Sequence, residues 1–282
     1  QAIDKILSLN LLIPSGHFDA QNRYSRNALY YSYNGADSAL IQSKLSQKHV
    51  TLIGCGGIGT MLAYFLATSG VGHLTLVDHD HIELSNLTRQ VLFTEKDVGK
   101  QKIDILKKEL LKRNNHTNID TQTLNISSAQ DVTSLKKSDL FIVSADSPFG
   151  LVDWINSYCV KAKQPYVNVG YINDIAVIGP FYIPGKTACL ACQQLAPDYQ
   201  GESEDHRICK EINKNFKAAT FPAINGIAAS YAFADIMRYL GEYGNILSIN
   251  RRVGIHSMEP RFEFQILEKQ PNCPVCSKIL KK

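Results

Sequence analysis

The fold is decided by the stretch Val50-Thr51-Leu52-Ile53-Gly54-Cys55-Gly56-Gly57-Ile58-Gly59. Its first four residues predict a buried strand, and the Gly-x-Gly-x-x-Gly spacing at Gly54, Gly56 and Gly59 predicts a tight turn into a helix that runs to about Gly70. Glycine lets the backbone approach a phosphate closely, and the free N-H groups at a helix N-terminus attract the anion. The stretch therefore predicts a phosphate-binding turn, which many classes of nucleotide-binding protein share.

Length and composition exclude several classes of protein. The chain has 282 residues, 44% hydrophobic and 20% charged, which is enough to bury a core as one large domain or two small ones. The net charge of +4 is small, and no block of like charges indicates a nucleic-acid or membrane partner. With no membrane-spanning run and no secretion signal, we expect a cytoplasmic protein. Because the chain begins with Gln1 rather than methionine, we also expect missing upstream sequence.

Apolar segments alternate between strand and helix spacing from His49 onwards. The first two strands and the intervening helix form a βαβ unit of about 30 residues. This order predicts a doubly wound, Rossmann-like α/β sheet, with a nucleotide-binding half at about 48–165 and a second half at about 166–282, which contains the two Cys-x-x-Cys pairs and is expected to bind substrate. Strands are predicted at 49–53, 73–77, 119–124, 139–145, 166–170, 175–182 and 261–267. Helices are predicted at 39–45, 58–70, 98–113, 149–163 and 226–240.

Acidic residues follow two of the predicted strands. Asp78 and Asp80 come after the second strand, and Asp146 comes after the strand at 139–145. Ligands of such sheets bind beyond the carboxyl ends of the strands, so these carboxylates should lie near the glycine turn. An acid at the end of the second strand suits a ribose hydroxyl. These features fit a nicotinamide dehydrogenase as well as an ATP-dependent enzyme.

Positive charge near the predicted turn separates those two classes. Asn86, Arg89 and Gln90 follow shortly after the ribose acid, and Lys102 lies at a helix start. Hydride transfer needs little fixed positive charge, whereas attack on phosphorus needs cations because charge grows on the equatorial and leaving oxygens. The pattern therefore favours nucleotidyl transfer, although on general grounds Arg89 and Lys102 could also belong to a solvated helix face.

These motifs resemble those of the adenylating superfamily that includes the molybdopterin-synthase and thiamine-biosynthesis adenylyltransferases and the ubiquitin-activating enzymes. The resemblance covers most of residues 22–276, and the run Asn86-Leu87-Thr88-Arg89-Gln90 is highly specific. Within the superfamily, segments 22–27, 144–148 and 168–177 most resemble the adenylyltransferases of microcin C biosynthesis. Those enzymes adenylate the C-terminal asparagine of a short ribosomal peptide. The resemblance implies an adenylation domain at 21–282, preceded by a peptide-clamp domain whose tail is residues 1–20.

The resemblance also assigns roles within the site. It implies that Asp146 holds Mg²⁺ on the phosphates of ATP or another nucleotide, and that Lys102 and Arg89 neutralise the α-phosphate and the departing pyrophosphate. Asp146 could instead cap a strand end, and Asp80 could be a plain turn residue. Contacts to the nucleotide are implied for Gly54, Gly56, Gly57, Gly59, Asp78, Asp80, Asn86 and Gln90.

Arg26 shows where pattern and resemblance disagree. By pattern alone, Arg23 and Arg26 belong to a polar, solvent-facing connection. Arg26 matches the arginine finger of the superfamily, which enters the active site of the partner subunit. The resemblance therefore implies a homodimer in which Arg26 acts in trans.

Four of the seven cysteines form two Cys-x-x-Cys pairs, Cys189 with Cys192 and Cys273 with Cys276. Four thiolates suit tetrahedral Zn²⁺, and such a closed site would be structural, joining the end of the chain to its middle. A redox pair or buried free thiols are the alternatives. Cys209 could carry an acyl group, as in ubiquitin-activating enzymes, but no flanking pattern supports that role over an incidental thiol.

The sequence thus predicts an ATP- and Mg²⁺-dependent adenylyltransferase that releases pyrophosphate and activates the C-terminal asparagine of a short peptide, in the biosynthesis of a microcin C-like antibiotic. One alternative is an adenylyltransferase for the C-terminal glycine of a sulfur-carrier protein, from which segment 168–177 differs. The other is a nucleotide-binding interaction module without turnover.

Overall fold

A computed structural model describes residues 1–9, 19–192 and 219–277. An eight-stranded sheet in the order β3-β2-β1-β4-β5-β6-β7-β8 runs through these residues. Its strands are β1 (His49–Ile53), β2 (His73–Val77), β3 (Asn118–Gln122), β4 (Leu140–Val143), β5 (Tyr166–Ile172), β6 (Ile175–Tyr182), β7 (Arg251–His256) and β8 (Phe262–Ile266). The helices are α1 (Ala2–Ser8), α2 (Ser25–Tyr33), α3 (Ser38–Gln47), α4 (Gly57–Thr68), α5 (Lys102–Arg113), α6 (Leu151–Ala162) and α7 (Pro222–Gly241).

The sheet has a parallel half and an antiparallel half. Strands β3, β2, β1, β4 and β5 pair in parallel, and β5 to β8 pair antiparallel. The strand order reverses between β1 and β4, and a ligand crevice forms beyond the carboxyl ends of strands at such a point. The predicted Rossmann-like α/β fold is confirmed.

Two hydrophobic clusters cover the two faces of the sheet, because successive strand side chains point to opposite sides. Leu52 and Leu76 belong to the first cluster, with apolar residues of α3, α4, α5 and α7. Ile53 and Val77 belong to the second cluster, with α6. The central strands β1, β2 and β4 are therefore largely buried on both faces, which explains their nearly continuous apolar sequences, whereas the edge strand β3 is polar and mostly exposed.

Several element boundaries differ from the sequence-based prediction. Helix α5 begins at Lys102 rather than at 98, because Gly99 N-H donates to the Ile82 carbonyl and holds the preceding segment in a loop. The sequence pattern did not reveal α2, which buries Tyr31 against Tyr243 at a ring-centroid distance of 5.3 Å. It also did not reveal β7. No helix within 1–9, 19–192 and 219–277 is long and apolar enough to cross a membrane.

Candidate functional site

A cleft of about 480 Å³ opens beyond the carboxyl ends of β1, β2 and β4. It lies where the strand order reverses, and its volume suits a small-molecule ligand. The structure brings together in its lining six residues that the sequence analysis singled out. They are Gly54, Gly56, Asp78, Asp80, Lys102 and Asp146.

The glycine turn forms one wall of this cleft. Gly54 has φ +91°, and a Cβ there would lie 2.7 Å from the backbone nitrogen of Ala145. A Cβ on Gly59 would collide with the carbonyl oxygen of Gly54. Helix α4 begins at Gly57 with Gly56 as its N-cap, and no side chain caps it. The turn is thus a cradle that side chains would fill, with helix N-H groups available to an anion.

Asp78 joins the glycine turn to the end of β2. Its Oδ2 accepts a hydrogen bond from the Cys55 backbone N-H at 2.7 Å, and its Oδ1 accepts one from Asp80 N-H at 2.8 Å. Two backbone donors therefore fix the orientation of this carboxylate at the cleft wall. Its contact with a ribose stays a prediction.

Lys102 is nearly buried at the first position of α5. Its Nζ donates to Asp80 Oδ2 at 2.7 Å, and its backbone N-H donates to the Asp80 carbonyl at 3.0 Å. A buried ammonium is costly unless paired, so this ion pair explains how Lys102 is accommodated. Burial would raise the pKa of Asp80, but the hydrogen bond and charge of Lys102, together with smaller effects of His79 and His81, lower that pKa below its ordinary value.

The run from 83 to 90 folds against the glycine turn. Asn86 is buried, and its Oδ1 accepts a hydrogen bond from the Glu83 N-H at 3.1 Å, which closes a short 3₁₀ turn. Arg89 donates from Nη1 to the Ser85 carbonyl at 3.0 Å. Gln90 is 1% exposed, and its Oε1 has no hydrogen-bond partner in the described part of the chain. A buried acceptor without a donor is what a ligand could satisfy.

Asp146 is exposed just past the end of β4 and lines the cleft. Mg²⁺ in nucleotide sites is usually held by one or two carboxylates together with substrate phosphates. A carboxylate beside a phosphate cradle fits that donor set, so Asp146 is the residue that would hold the ion. The assignment stays a prediction.

Arg26 and Arg23 lie apart from the cleft. Arg26 is exposed on α2 and is not among the residues that line it, so its entry into a partner's site stays a prediction. Arg23 is exposed, as the solvent-facing interpretation predicted, and its guanidinium also contacts the end of α5. Its Nη1 donates to the Arg113 carbonyl at 3.0 Å and to Asn114 Oδ1 at 2.6 Å, which satisfies backbone at the end of α5.

The four paired cysteines come together in a second site. All four are buried, and Cys189 Sγ lies 3.9 Å from Cys192 Sγ and 3.7 Å from Cys273 Sγ. Cys192 Sγ lies 3.4 Å from Cys276 Sγ. Zinc–sulfur bonds of about 2.3 Å give a tetrahedral edge of about 3.8 Å, so the cluster could hold zinc.

The same distances show that no disulfide joins these thiols. They far exceed a disulfide bond of about 2.05 Å, and the described cysteines are free. Burial raises the pKa of Cys189, and it raises the pKa of Cys276 to about 12, whereas hydrogen bonds from the backbone of Cys276 and Val275 lower the pKa of Cys273 against the effect of burial. Cys209 lies outside the described residues, and its role stays open.

Two polar residues beside the glycine turn were given no role by the sequence analysis. Ser144 Oγ donates to the Gly54 carbonyl at 2.7 Å and so joins the turn to the end of β4. Asn225 is 2% exposed in the first turn of α7, and its Oδ1 lies 2.8 Å from where a Cβ on Gly57 would stand. The sequence signal that marks it is an asparagine within the otherwise apolar stretch 222–229 at the start of this helix.

The chain is similar in sequence to an adenylyltransferase and to a modifier-activating enzyme. The chain is 27% identical over 256 residues to the molybdopterin-synthase adenylyltransferase of Escherichia coli (strain K12), covering 90% of this chain and 95% of that protein. It is 28% identical over 242 residues to ubiquitin-like modifier-activating enzyme 5 of Bombyx mori, covering 82% of this chain and 59% of that enzyme. The chain thus spans less than two thirds of the length of the latter relative.

Solved structures of E. coli MccB are more similar still. One, solved with MccA-N7isoASN, superposes with a TM-score of 0.90 and 46% identity over 97% of this chain and 80% of that one. Another, with ATP, gives a TM-score of 0.89 and 46% identity over 97% and 79%. The predicted superfamily is confirmed, since the ThiF family pattern matches residues 24–275, and this chain belongs to the ThiF family.

Proposed function

We propose that this protein is a cytoplasmic, ATP-dependent adenylyltransferase that activates the C-terminal carboxylate of a short ribosomal peptide ending in asparagine, as a step toward a microcin C-like antibiotic. One observation carries the proposal: a phosphate cradle, a buried lysine and an exposed carboxylate line a single cleft at the switch point of the sheet. The likeness to MccB, with structures that contain ATP and MccA, supports the choice of a peptide.

The reaction is a nucleotidyl transfer. A carboxylate oxygen of the peptide attacks the α-phosphorus, the bond from that phosphorus to the bridging oxygen breaks, and pyrophosphate leaves with the electron pair. The N-H groups at the start of α4 and the cations of Arg89 and Lys102 stabilise the charge that develops. When bound, Mg²⁺ neutralises the phosphates further.

Lys102 has to change partners in this reaction. Its Nζ is held by Asp80 at 2.7 Å and lies at the cleft wall. A nucleotide phosphate carries more negative charge than one carboxylate, so binding of the nucleotide can draw the ammonium from Asp80 toward the phosphates. Asp80 then acts as the group that holds the lysine in place before the substrate arrives.

We further propose that the enzyme is a homodimer in which Arg26 completes the partner's site. Its exposed position on α2, outside the cleft of its own chain, is compatible with action in trans. Arg26→Ala and Asp146→Ala should each abolish pyrophosphate exchange. Mixing the two inactive proteins should restore about a quarter of the wild-type sites, since half of the dimers are mixed and each has one intact site. No recovery after mixing would exclude the shared site.

The second candidate is an adenylyltransferase for the C-terminal glycine of a sulfur-carrier protein. It is favoured by the similarity to the molybdopterin-synthase adenylyltransferase, which extends over 95% of that enzyme. Both candidates use the same nucleotide chemistry and differ in the acyl substrate.

Substrate-dependent release of pyrophosphate separates the candidates. We expect release from ATP only when a short peptide ending in asparagine is added, with mass spectrometry showing AMP attached to that peptide. The same peptide ending in alanine is the control, and each of the other nucleoside triphosphates tests the choice of base. Release that depends on a diglycine-ending carrier and not on any peptide would overturn the peptide assignment. Binding of ATP without release of pyrophosphate under any condition would indicate a nucleotide-binding interaction module that does not catalyse turnover.

A further inference from the structure

Two buried polar side chains lie beside the first cysteine pair. Asn156 on α6 is 1% exposed, and Tyr166 at the start of β5 is 0% exposed. The Tyr166 hydroxyl donates to Asn156 Oδ1 at 2.8 Å. Among the residues that the structure describes, neither belongs to the lining of the nucleotide cleft. Burying polar groups is costly unless they are hydrogen-bonded, so this pair needs an explanation other than nucleotide binding.

The two side-chain oxygens hold one backbone N-H group of the turn that carries Cys189 and Cys192. Leu190 directly follows Cys189 in this turn. Its N-H donates to Asn156 Oδ1 at 3.1 Å and to the Tyr166 hydroxyl at 3.3 Å. A backbone N-H beside two buried cysteines is costly to leave without an acceptor. Asn156 and Tyr166 therefore fix the backbone of this turn against α6 and β5.

The second cysteine pair is held differently. The Cys273 N-H donates to the Gln270 carbonyl at 3.1 Å, and the Cys276 N-H donates to Cys273 Sγ at 3.4 Å. In the described part of the chain, the hydrogen bonds of this turn, apart from the contacts between sulfur atoms, stay within 270–277. The turn at 189–192 is thus fixed by the core of the protein, whereas the turn at 273–276 is fixed by its own neighbours in sequence.

The hydrogen bonds to Leu190 bear on the geometry of the metal ligands. Because Leu190 lies between Cys189 and Cys192 in the chain, fixing its backbone restricts where the two Sγ atoms can lie. Ligands that are already in place bind a metal more tightly, since less conformational freedom is lost on binding. Groups that orient metal ligands typically change metal affinity by about 10- to 100-fold when they are removed. The two oxygens are therefore placed to control how firmly zinc is held.

We propose that Asn156 and Tyr166 are positioning residues of the zinc site. They hold the turn at 189–192 in the shape that binds the metal, and the turn at 273–276 completes the site when the segment after β8 packs against it. The proposal concerns how the protein retains its metal, so it does not depend on which acyl substrate the nucleotide cleft activates.

The rate of zinc release from the zinc-loaded enzyme measures this role. The protein is mixed with an excess of a chelating dye, and the absorbance of the dye–zinc complex is followed with time. Tyr166→Phe removes only a hydroxyl and Asn156→Leu removes the amide, while the double variant leaves the Leu190 N-H without either acceptor. Tyr158→Phe is the matched control, because its hydroxyl donates to the Leu135 carbonyl at 3.0 Å, outside the cysteine cluster.

We expect the double variant to release zinc about 10- to 100-fold faster than the wild type. Each single variant should have a smaller effect, because the remaining oxygen still accepts a hydrogen bond from the Leu190 N-H. Tyr158→Phe should release zinc at the wild-type rate. The affinity for a fluorescent ATP analogue should stay unchanged in all four variants, which also shows that each of them is folded.

If the double variant does not fold, Tyr166→Phe decides alone, and faster release from it than from Tyr158→Phe supports the proposal. Release at the wild-type rate from Tyr166→Phe and Asn156→Leu, singly and together, would overturn the proposal. Equally fast release from Tyr158→Phe would also overturn it, because the effect would then be a general loss of stability. Wild-type protein that holds no zinc would remove the site itself. The adenylation proposal would stand in each of these cases.

Discussion

The parallel and antiparallel halves of the sheet present very different surfaces. In the parallel half, the polar groups at the cleft are already held: Asp78 by backbone N-H groups, and Lys102 by Asp80. In the antiparallel half, a groove of about 220 Å³ is lined by the apolar side chains of Ile172, Ile175 and Val177 and by Arg252, whose Nε has no partner in the described part of the chain. We expect charge to develop beside Lys102 during the proposed reaction, where groups that are already held in place would stabilise it.

The largest effect is expected from removing the ammonium of Lys102, which Asp80 holds at the cleft. Lys102→Met should lower kcat for pyrophosphate release by about 100- to 1000-fold, the loss typical of removing one preorganised charge-stabilising group. Lys100→Met is the matched control, because Lys100 is two positions away, exposed, and paired with Asp97 at 3.0 Å. Steady-state kinetics of both variants would decide. An equal loss of kcat in Lys102→Met and Lys100→Met would show that overall positive charge matters rather than the ammonium of Lys102.

Stability should depend most on the cysteine cluster that joins the chain after β6 to the chain after β8. Cys273→Ser should remove bound zinc and lower the free energy of unfolding by several kcal/mol, because a structural zinc site contributes its binding energy to folding. Zinc per chain can be measured by mass spectrometry of the metal, and stability by urea denaturation. Cys159→Ser, a buried thiol outside the cluster, should retain zinc. Wild-type protein without zinc would refute the metal assignment.

A smaller effect is expected from adding a Cβ at a glycine of the phosphate-binding turn, compared with a glycine of an ordinary turn. Gly54 and Gly35 both have positive φ, but a Cβ on Gly54 would lie 2.7 Å from Ala145 N, whereas one on Gly35 would meet nothing within 4 Å. Gly35→Ala should cost about 1 kcal/mol for the left-handed backbone alone. Gly54→Ala should cost more and also weaken ATP binding by about tenfold, because the turn must move. Identical behaviour of the two variants would contradict the role of close backbone packing.

The smallest expected effect is the pH dependence of stability that arises from His49 and His73, at the amino ends of β1 and β2. Burial lowers the pKa of His49, and the neighbouring His73 ring, stacked at 3.9 Å, lowers it further, against smaller opposing effects of Asp139 and Asp120. The folded state therefore binds this proton less tightly than the unfolded state. Its contribution to stability is complete above the ordinary histidine pKa of about 6.5 and falls as pH decreases below it.

Urea denaturation between pH 7.5 and 5 measures this contribution. We expect His49→Gln to flatten the decline in stability by at most about 1.4 kcal/mol per pH unit, the limit for one proton. His116→Gln, at an exposed position, is the control. If stability falls more steeply with decreasing pH in His49→Gln than in the wild type, the direction assigned to the pKa shift of His49 is wrong.

The parallel half could largely be predicted from sequence because its signals are local. The glycine spacing, the acids after β2 and β4 and the lysine at the start of α5 each depend on neighbours in the chain, and topology then places them at one edge. The cysteine pairs could be predicted for the same reason, since each pair is a short motif. Only their meeting in one cluster required the fold.

The antiparallel half depends on contacts that are distant in sequence. Strand β7 begins with Arg251 and Arg252, and two adjacent charged residues do not match the apolar alternation expected of a strand. The register of β7 is set by its pairing with β6 and β8. Gly170 and Gly254 come to lie on either side of Val177 only through strand pairing. Helix α2 likewise becomes recognisable only through the packing of Tyr31 on Tyr243. Such features have no local motif to mark them.

We propose that the cleft activates a peptide carboxylate by attack on the α-phosphorus of a nucleotide. Exchange of radiolabelled pyrophosphate into ATP tests it most directly, because exchange requires reversible formation of the adenylate. We predict exchange that depends on a short peptide ending in asparagine and disappears in Asp146→Ala. Exchange that proceeds unchanged in Asp146→Ala, or that responds only to a diglycine-ending carrier protein, would contradict the account.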